Sequence, residues 1–401
     1  VPGFREVFRV GEFRALFTAY FVSVAGDQYA RVALTVLVYA RTASAGLSAL
    51  TYALSFLPDL IGGPLLSGLA DRFPRRTVMI VTDLARAAVL VLMAIPAMPL
   101  WLTCTLLVVV QLAGAPGNAA RAALLPHVLP GEQYPVGQAA MNAVNQVAQV
   151  AGFASGGALV AFTGAHAVIL ADAATFLASA LLVARFVAAR PAPEAATQRT
   201  WPLLDGARLV WTQPRLRALV AMACVSGFYI AGEALAAPYA VELGHGPIAV
   251  GLMFAAYAAG TAAGMLVLAR FPDSARLRAM PALVVASCAP LTLCALNPGL
   301  AVTLLLFTLT GAASSYHLVT ATTFVATVPD DQRGQAFGLA VTALRVSQGL
   351  GIALAGVAAD RVPVHTVVAA AGALGVLAAC GTAWLWRLSD QPSGRTTRST
   401  P

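Results

Sequence analysis

The sequence predicts an all-α polytopic membrane protein, twelve transmembrane helices in two pseudo-symmetric six-helix halves. Three observations carry that expectation. Of the 401 residues, 59% are hydrophobic and only 10% charged, with a mean hydropathy of +0.78, whereas a soluble domain carries roughly a quarter charged residues. Apolar runs of about 20 residues, the length a helix needs to cross a bilayer, recur from Phe13 almost to the end of the sequence. Finally, the first and second halves echo one another at a common offset.

The spans follow in order. The first, Phe13–Ala40, is too long for a signal-peptide core and lacks a small-residue cleavage pattern, so it stays as a helix. Ala45–Ala70 runs to the charged break DRFPRR, Thr77–Ala97 to a Pro-rich turn and Leu100–Leu125 to HVLPGEQ, and Pro135–Phe162 and His166–Ala188 complete the first half, residues 1–188. Residues 189–216 are polar and rich in Pro and Arg, which predicts a cytoplasmic linker ending in a short amphipathic helix on the membrane surface. The second half, 217–388, holds Ala218–Val241, Ile248–Arg270, a short Ala282–Ala295 interrupted by Pro290, Leu300–Val328, Gln335–Ala359 and Val364–Trp386. The tail, 389–401, has the composition of a disordered cytoplasmic segment.

A formal charge of +8 raises the question of nucleic acid, but all 25 basic residues are arginines and most flank spans. With the N-terminus cytoplasmic, only Arg41 and Arg361 lie outside, and Arg31, Arg86, Arg121 and Arg345 lie within spans. The rest gather at cytoplasmic ends, so the positive-inside rule makes both termini cytoplasmic and explains the charge without nucleic acid. The five cysteines, Cys104, Cys224, Cys288, Cys294 and Cys380, all sit in apolar runs without metal-ligand spacing, which predicts neither disulfides nor a metal.

The internal repeat is specific. FRAL at Phe13, VS at Val22 and AGD at Ala25 return as LRAL at Leu216, VS at Val225 and AGE at Ala231, with a three-residue slip before the acid. RFP at Arg72 returns at Arg270, and LPGEQYPVGQA from Leu129 is matched by VPDDQRGQA from Val328. Parallel repeats of six helices put a substrate site at the repeat interface near the bilayer midplane.

After the second span stands SGLADRFPRR, with Gly68, Asp71, Arg72, Arg75 and Arg76. This resembles the signature loop of the major facilitator superfamily, with Gly68 one residue late and Pro74 in place of the second glycine. In the fifth span, Gly152, Gly156 and Gly157 are similar to the Gly-Pro-x-x-Gly-Gly pattern of antiporter members, with Phe153 where the family has Pro. Read without the family, these glycines are a helix-packing motif. The DLARA stretch at Asp83, the LRAL entry and the polar fifth span resemble the macrolide-efflux and enterobactin-exporter branch. The resemblance implies the twelve-helix fold, transport by alternating access in a bacterial-type cell membrane, and a role for Asp71 and its basic neighbours as a conformational latch. In such a latch Asp71 closes the cytoplasmic face against the N-terminal end of the eleventh span.

Ionisable residues inside a bilayer are costly and mark functional sites by default. Asp27 lies just past the midplane at 1.5 Å per residue, and Arg31 follows one turn later, in reach to pair with it. Glu233 is the counterpart of Asp27 in the second half. Asp27, Arg31 and Glu233 are therefore candidates for proton coupling; the alternative is a permanent structural ion pair. Asp83 and Arg86 are expected to pair with each other or with the signature loop, Asp59 and Asp172 to be wet near span ends, and Arg121 to snorkel to the interface. Gln138, Asn142, Asn145, Gln146 and Gln149 form one hydrophilic stripe on the fifth span. Such a stripe must face a cavity or a partner helix, because lipid would leave its amides unsatisfied. With Arg345, near the midplane of the eleventh span, it makes the candidate substrate cavity. Tyr29, Tyr229, Phe228 and His317 are further candidates for aromatic or titratable lining, with ordinary packing the favoured reading of each.

The leading expectation is a secondary transporter exporting a small amphiphilic compound, such as a drug, an antibiotic or a siderophore, in exchange for protons. Its partners are the small-molecule substrate, protons and the lipid bilayer, and it works as a monomer with no cofactor. An importer or facilitator for a nutrient uses the same architecture. The sequence has no phosphate-binding G-x-x-x-x-G-K loop and no hydrolytic or metal constellation, which argues against an ATPase or another enzyme. A non-transporting sensor is the alternative from a different class, and it calls for a sizeable extramembrane domain.

Overall fold

In a computed structural model, which describes residues 4–55, 57–58, 62, 66, 69–96, 98–191, 209–329 and 332–390, almost every described residue is helical. In chain order the long elements are α1 (Gly11–Thr42), α2 (Ala45–Leu54), α3 (Arg75–Met93), α4 (Leu100–Val128), α5 (Gln133–Thr163) and α6 (Ala165–Phe186). They continue with α7 in three segments (Pro214–Cys224, Ser226–Ala234, Ala236–Glu242), α8 (Pro247–Ala269), α9 (Asp273–Thr292), α10 in two segments (Leu300–Ser314, Tyr316–Thr327), α11 (Arg333–Ala359) and α12 (Val364–Asp390). Among the described residues, nine helical stretches are long and apolar enough to cross a membrane. Much of the second predicted span, with Asp59 and Gly68 and the side chain of Asp71, lies outside the described residues. So do most of the predicted linker and the tail after residue 390.

Local chemistry sets the breaks. Ala43 adopts the left-handed conformation, φ 51°, and its N–H bonds the Tyr39 carbonyl to end α1. Ser44 then caps α2 by accepting from the Leu47 N–H at 3.1 Å. Pro214 and Pro247 open α7 and α8, where a missing N–H costs nothing. Pro116 and Pro126 lie inside α4 and Pro281 and Pro290 inside α9, as neighbouring helices in a membrane allow.

The ninth helix differs from expectation. Rather than the short Ala282–Ala295, it runs from Asp273 and is extended by a 3-10 turn, Leu293–Leu296. Hydropathy underestimates it because its first turns carry Arg276 and Arg278, and Pro290 is absorbed without ending the helix.

α1 packs on α5 and α6, α3 on α4 and α6, α8 on α10, and α9 on α10 and α12. Across the two groups of six, α5 packs on α8 and α2 on α11. Glycine permits these crossings: a Cβ on Gly152 would sit 2.9 Å from the Ala25 carbonyl oxygen of α1, and one on Gly157 would sit 2.9 Å from Cα of Gly251 on α8. On the face away from the chain ends, Asp360 at the end of α11 accepts from the Ser44 hydroxyl (3.2 Å) and the Gly46 N–H (3.2 Å) at the start of α2. A carboxylate at a helix N-terminus is favourable, and this one ties the two groups of helices together.

Candidate functional site

A cavity of about 450 Å³ lies between the first six helices and the last six. Its wall is polar within an otherwise apolar protein. α1 contributes Asp27, Gln28 and Arg31, α3 Arg86, α5 Asn145, Gln146 and Gln149, α7 Glu233, and α11 Arg345 and Gln348.

Asp27 has a different partner from the one expected. Arg31 does not pair with it; Nη2 of Arg86, from α3, donates to Asp27 Oδ1 at 2.6 Å. The reason is packing. The Arg86 guanidinium stacks 4.0 Å from the Phe176 ring centroid. Gly114 leaves room for it, since a Cβ there would meet its Cζ at 3.4 Å. Arg86 is thus not paired with Asp83, whose carboxylate instead accepts from the Ser179 hydroxyl at 2.7 Å. Asp172 is not wet: it is 1% exposed, bonded through Oδ1 to the Thr175 hydroxyl, and its Oδ2 has no hydrogen-bond partner among the described residues. Arg121 does not reach for the interface either, because it lies 4.2 Å from the Tyr20 ring and donates to Asn118 at 2.9 Å.

The second acidic group is built across the two groups of helices. Glu233, 6% exposed, sits in the middle segment of α7 and accepts from the Tyr52 hydroxyl of α2 at 3.1 Å. Tyr52 is itself fixed by stacking on Phe254 of α8, ring centroids 5.5 Å apart. Arg31 lies between the Tyr52 and Phe153 rings, 5.8 and 5.9 Å from their centroids, and donates to the Ser55 carbonyl at 3.5 Å. One cation, one phenol and one carboxylate therefore meet where α1, α2 and α7 converge.

The amide stripe of α5 is split. Asn145 accepts from the Tyr20 hydroxyl at 3.1 Å, Gln146 reaches Met265 Sδ of α8 at 3.5 Å, and Gln149 lines the cavity with them. Gln138 and Asn142 do not line it. They lie one to two turns nearer the start of α5, where they bond to each other at 3.4 Å and Asn142 is exposed. Arg345 lines the opposite wall and donates to Gln348 at 3.1 Å. Tyr229 and His317 bond to each other at 2.7 Å in the second group of helices, and Phe228 lines a separate apolar pocket.

Of the signature-loop arginines, Arg72 is exposed. Arg75 donates to the Ala123 carbonyl at 2.8 Å and Arg76 to the Ala184 carbonyl. The Arg76 bond goes to the last turn of α6, where a cation meets the negative end of a helix, the Arg75 bond goes to α4 one turn before its last, and both stay inside the first group of helices.

The cavity also uses residues that the sequence left unnoticed, chiefly Tyr52, Gln111, Asn118 and Gln348. Gln111 interrupts an apolar run and carries the same signal that exposed the α5 stripe. Tyr52 has no such mark, because an aromatic in a span is ordinary.

The sequence profile of the Major Facilitator Superfamily matches residues 16–237 and 218–401. An uncharacterized MFS-type transporter of Bacillus subtilis (strain 168), YvqJ, is 29% identical over 272 residues, 64% of this chain. The match spans 64% of that relative's length. Among solved structures, a POT family transporter in complex with a thioalcohol-conjugated peptide superposes with a TM-score of 0.76 at 9% identity, over 94% of this chain and 96% of that one. A bacterial homologue of the iron transporter ferroportin, in an inward-facing state, superposes with a TM-score of 0.69 at 13% identity, over 98% of this chain and 100% of that one. At those identities the likeness is one of fold.

Proposed function

We propose a function from one premise: the chain belongs to the Major Facilitator Superfamily. It is a secondary transporter that exports a small amphiphilic compound, of the drug, antibiotic or siderophore class, in exchange for protons. It acts as a monomer in a bacterial cell membrane with both termini cytoplasmic, and it resembles the macrolide and enterobactin exporters in its DLARA stretch, LRAL entry and polar fifth span. The observation that carries this reading is the polar cavity between the two groups of helices, bridged by the Tyr52–Glu233 hydrogen bond.

In alternating access one group of six helices rocks on the other around a central site. The ties on the face away from the chain ends, Asp360 to Ser44 and Gly46 and the Gly157–Gly251 crossing, support an inward-facing state. Asp27, Arg31 and Glu233 serve coupling with different weight. Asp27 is held by Arg86 within its own group of helices, so it neutralises that cation and shapes the wall. Glu233 is the acid whose partner lies across the interface. Adding a proton to its carboxylate removes the negative charge that the Tyr52 hydroxyl and the neighbouring Arg31 face. The proton enters from outside while the protein is outward-open and substrate leaves, and it is released to the cytoplasm when the inward-facing state re-forms the Tyr52–Glu233 hydrogen bond. Arg345, Gln348 and the α5 amides hold the polar part of the substrate, with Phe153 and Tyr257 against its apolar part.

Proteoliposomes with an internal pH dye test the coupling against a panel of macrolides and catecholate siderophores. The expected result is compound-dependent proton flux that is lost in Glu233→Gln, because the amide cannot carry the proton, with compound exchange retained. Flux that survives Glu233→Gln and Asp27→Asn alike, or transport indifferent to pH, refutes it.

A further inference from the structure

One buried acid has no part in the coupling proposed above. Asp172 of α6 is 1% exposed, and Arg86, the cation whose charge reaches it, bonds Asp27 instead. We propose that Asp172 is a proton-binding site, holding a proton on Oδ2 in the state described here and exchanging it with the central cavity by way of Asp27. The site stands apart from Glu233, and its occupancy is independent of what the protein transports.

Packing seats the carboxyl deep in the first group of helices. Residue 26 of α1 is glycine, and a Cβ there would collide with both Asp172 Oδ1 and Thr175 Oγ1, so these polar groups lie directly against the α1 backbone beside Asp27. The Thr175 hydroxyl bonds Oδ1 at 3.1 Å, and Oδ2 has no partner among the described residues. An ionised carboxylate withdrawn from water is costly unless it is paired, and an unpaired one takes a proton instead. The elements packed on α6 supply no such pairing. α1 presents Asp27, itself an anion, and Arg31, which lies between the Tyr52 and Phe153 rings. α3 presents Arg86, committed to Asp27, and Asp83, bonded to Ser179; α5 carries no charged residue. Two carboxylates beside one guanidinium leave a negative charge in excess, and a proton on one of them removes it.

A route joins Asp172 to the central cavity. A hollow of about 20 Å³ among the first six helices is lined by Asp27, Arg31, Ser55, Gln111 and Asp172. Asp27, Arg31 and Gln111 also line the central cavity, so they form the partition between the two. A hollow of this size has room for one water, and its wall offers the polar partners a water needs. Oδ2–H gives its proton to that water as the water passes one of its own to the Asp27 carboxylate. Asp27 then yields it to the central cavity, and Asp172 is left ionised.

Infrared difference spectroscopy of the purified full chain at neutral pH, with and without isotope-labelled aspartate, reads this proton directly. A protonated-carboxyl band that moves with the label should be present in the unmutated chain and in Glu233→Gln, and lost in Asp172→Asn, which keeps the shape of the neutral acid. Thr175→Val should shift the band without abolishing it, because Oδ1 loses its hydrogen bond, and Asp27→Asn should slow its exchange in heavy water severalfold. Absence of the labelled band from the unmutated chain, or its survival in Asp172→Asn, overturns the proposal. So does a band unmoved by Thr175→Val, or one whose exchange ignores Asp27→Asn. Loss of the band on adding sodium at constant pH would make the ligand a metal cation and overturns it as well.

Discussion

Asp27 and Glu233 occupy equivalent places in the repeat and have come to opposite uses. Asp27 is closed off by Arg86 within one group of helices, and Glu233 reaches across to Tyr52. The three-residue slip between AGD and AGE carries the second acid about 4.5 Å further along its helix and leaves it on nearly the same face; its partner from α2 is set by packing, Tyr52 being stacked on Phe254. The Asp27–Arg86 pair has side chains 29% and 10% exposed, so it is only partly withdrawn from water. Removing one partner of a buried pair costs about 3–5 kcal/mol, and partial exposure puts this one at the low end. Arg86→Gln should therefore lower the unfolding free energy in detergent by about 3 kcal/mol, and adding Asp27→Asn should recover a good part of that loss. A double variant no more stable than Arg86→Gln would show that the ion pair is not the source.

The elements that carry the cavity differ in continuity. α1 runs unbroken for 32 residues, while α7 bends at Val225 and Leu235 and α10 at Ser315. Its middle segment, Ser226–Ala234, is the part of α7 that holds Glu233. α5 is the other decisive element: its amides face the cavity and its glycines set how near α8 can come. A side chain at Gly157 meets the backbone of Pro247 at 2.7 Å and of Gly251 at 2.9 Å, and backbone cannot yield as a flexible side chain can. Gly157→Leu should force α5 and α8 apart and disfavour the state described here, at about 1–3 kcal/mol for overpacking. Cross-linking between cysteines introduced at Val160 and Ile248 should then slow severalfold, while Val147→Leu, exposed and outside Gly152–Gly157, should leave it unchanged.

At the scale of the whole molecule, the family's signature loop and the Asp360 contact make a pair. The proposed latch sets Asp71, at the end of the second span, against the start of α11 on one face. On the other face Asp360, at the end of α11, sits on the start of α2. In that proposal the same two helices would meet carboxylate to N-terminus at opposite ends, each contact favouring one of two states. An exposed charged contact is worth about 1 kcal/mol, roughly a fivefold change in an equilibrium. Asp360→Ala should accordingly speed amide hydrogen exchange at Gly46 and Leu47 by about fivefold, and Asp71→Asn should slow it if the two contacts compete. Exchange unaffected by Asp360→Ala would remove that contact from the switch.

Composition and hydropathy were enough for the membrane fold, the order of the helices and the polar stripe of α5, because burial in lipid is decided by stretches of about 20 residues. The intramembrane charges were equally plain, since each stands out against an apolar run. Their partners were not. Position along one helix put Arg31 beside Asp27, but a guanidinium goes where the neighbouring helices leave room, and Gly114 and Phe176 made that room for Arg86. Likewise the stripe from Gln138 to Gln149 was one feature in the sequence and became two in space, because the cavity spans only the part of α5 that faces both α1 and α8. Tyr52 was invisible until packing on Phe254 aimed its hydroxyl at Glu233. The sequence by itself determined which stretches are apolar enough to cross the membrane and where charges interrupt them; only the tertiary structure decided which of those charges are buried, as with Asp172, and which of them meet, because side chains from different helices come within a few ångströms only through the packing of the whole bundle.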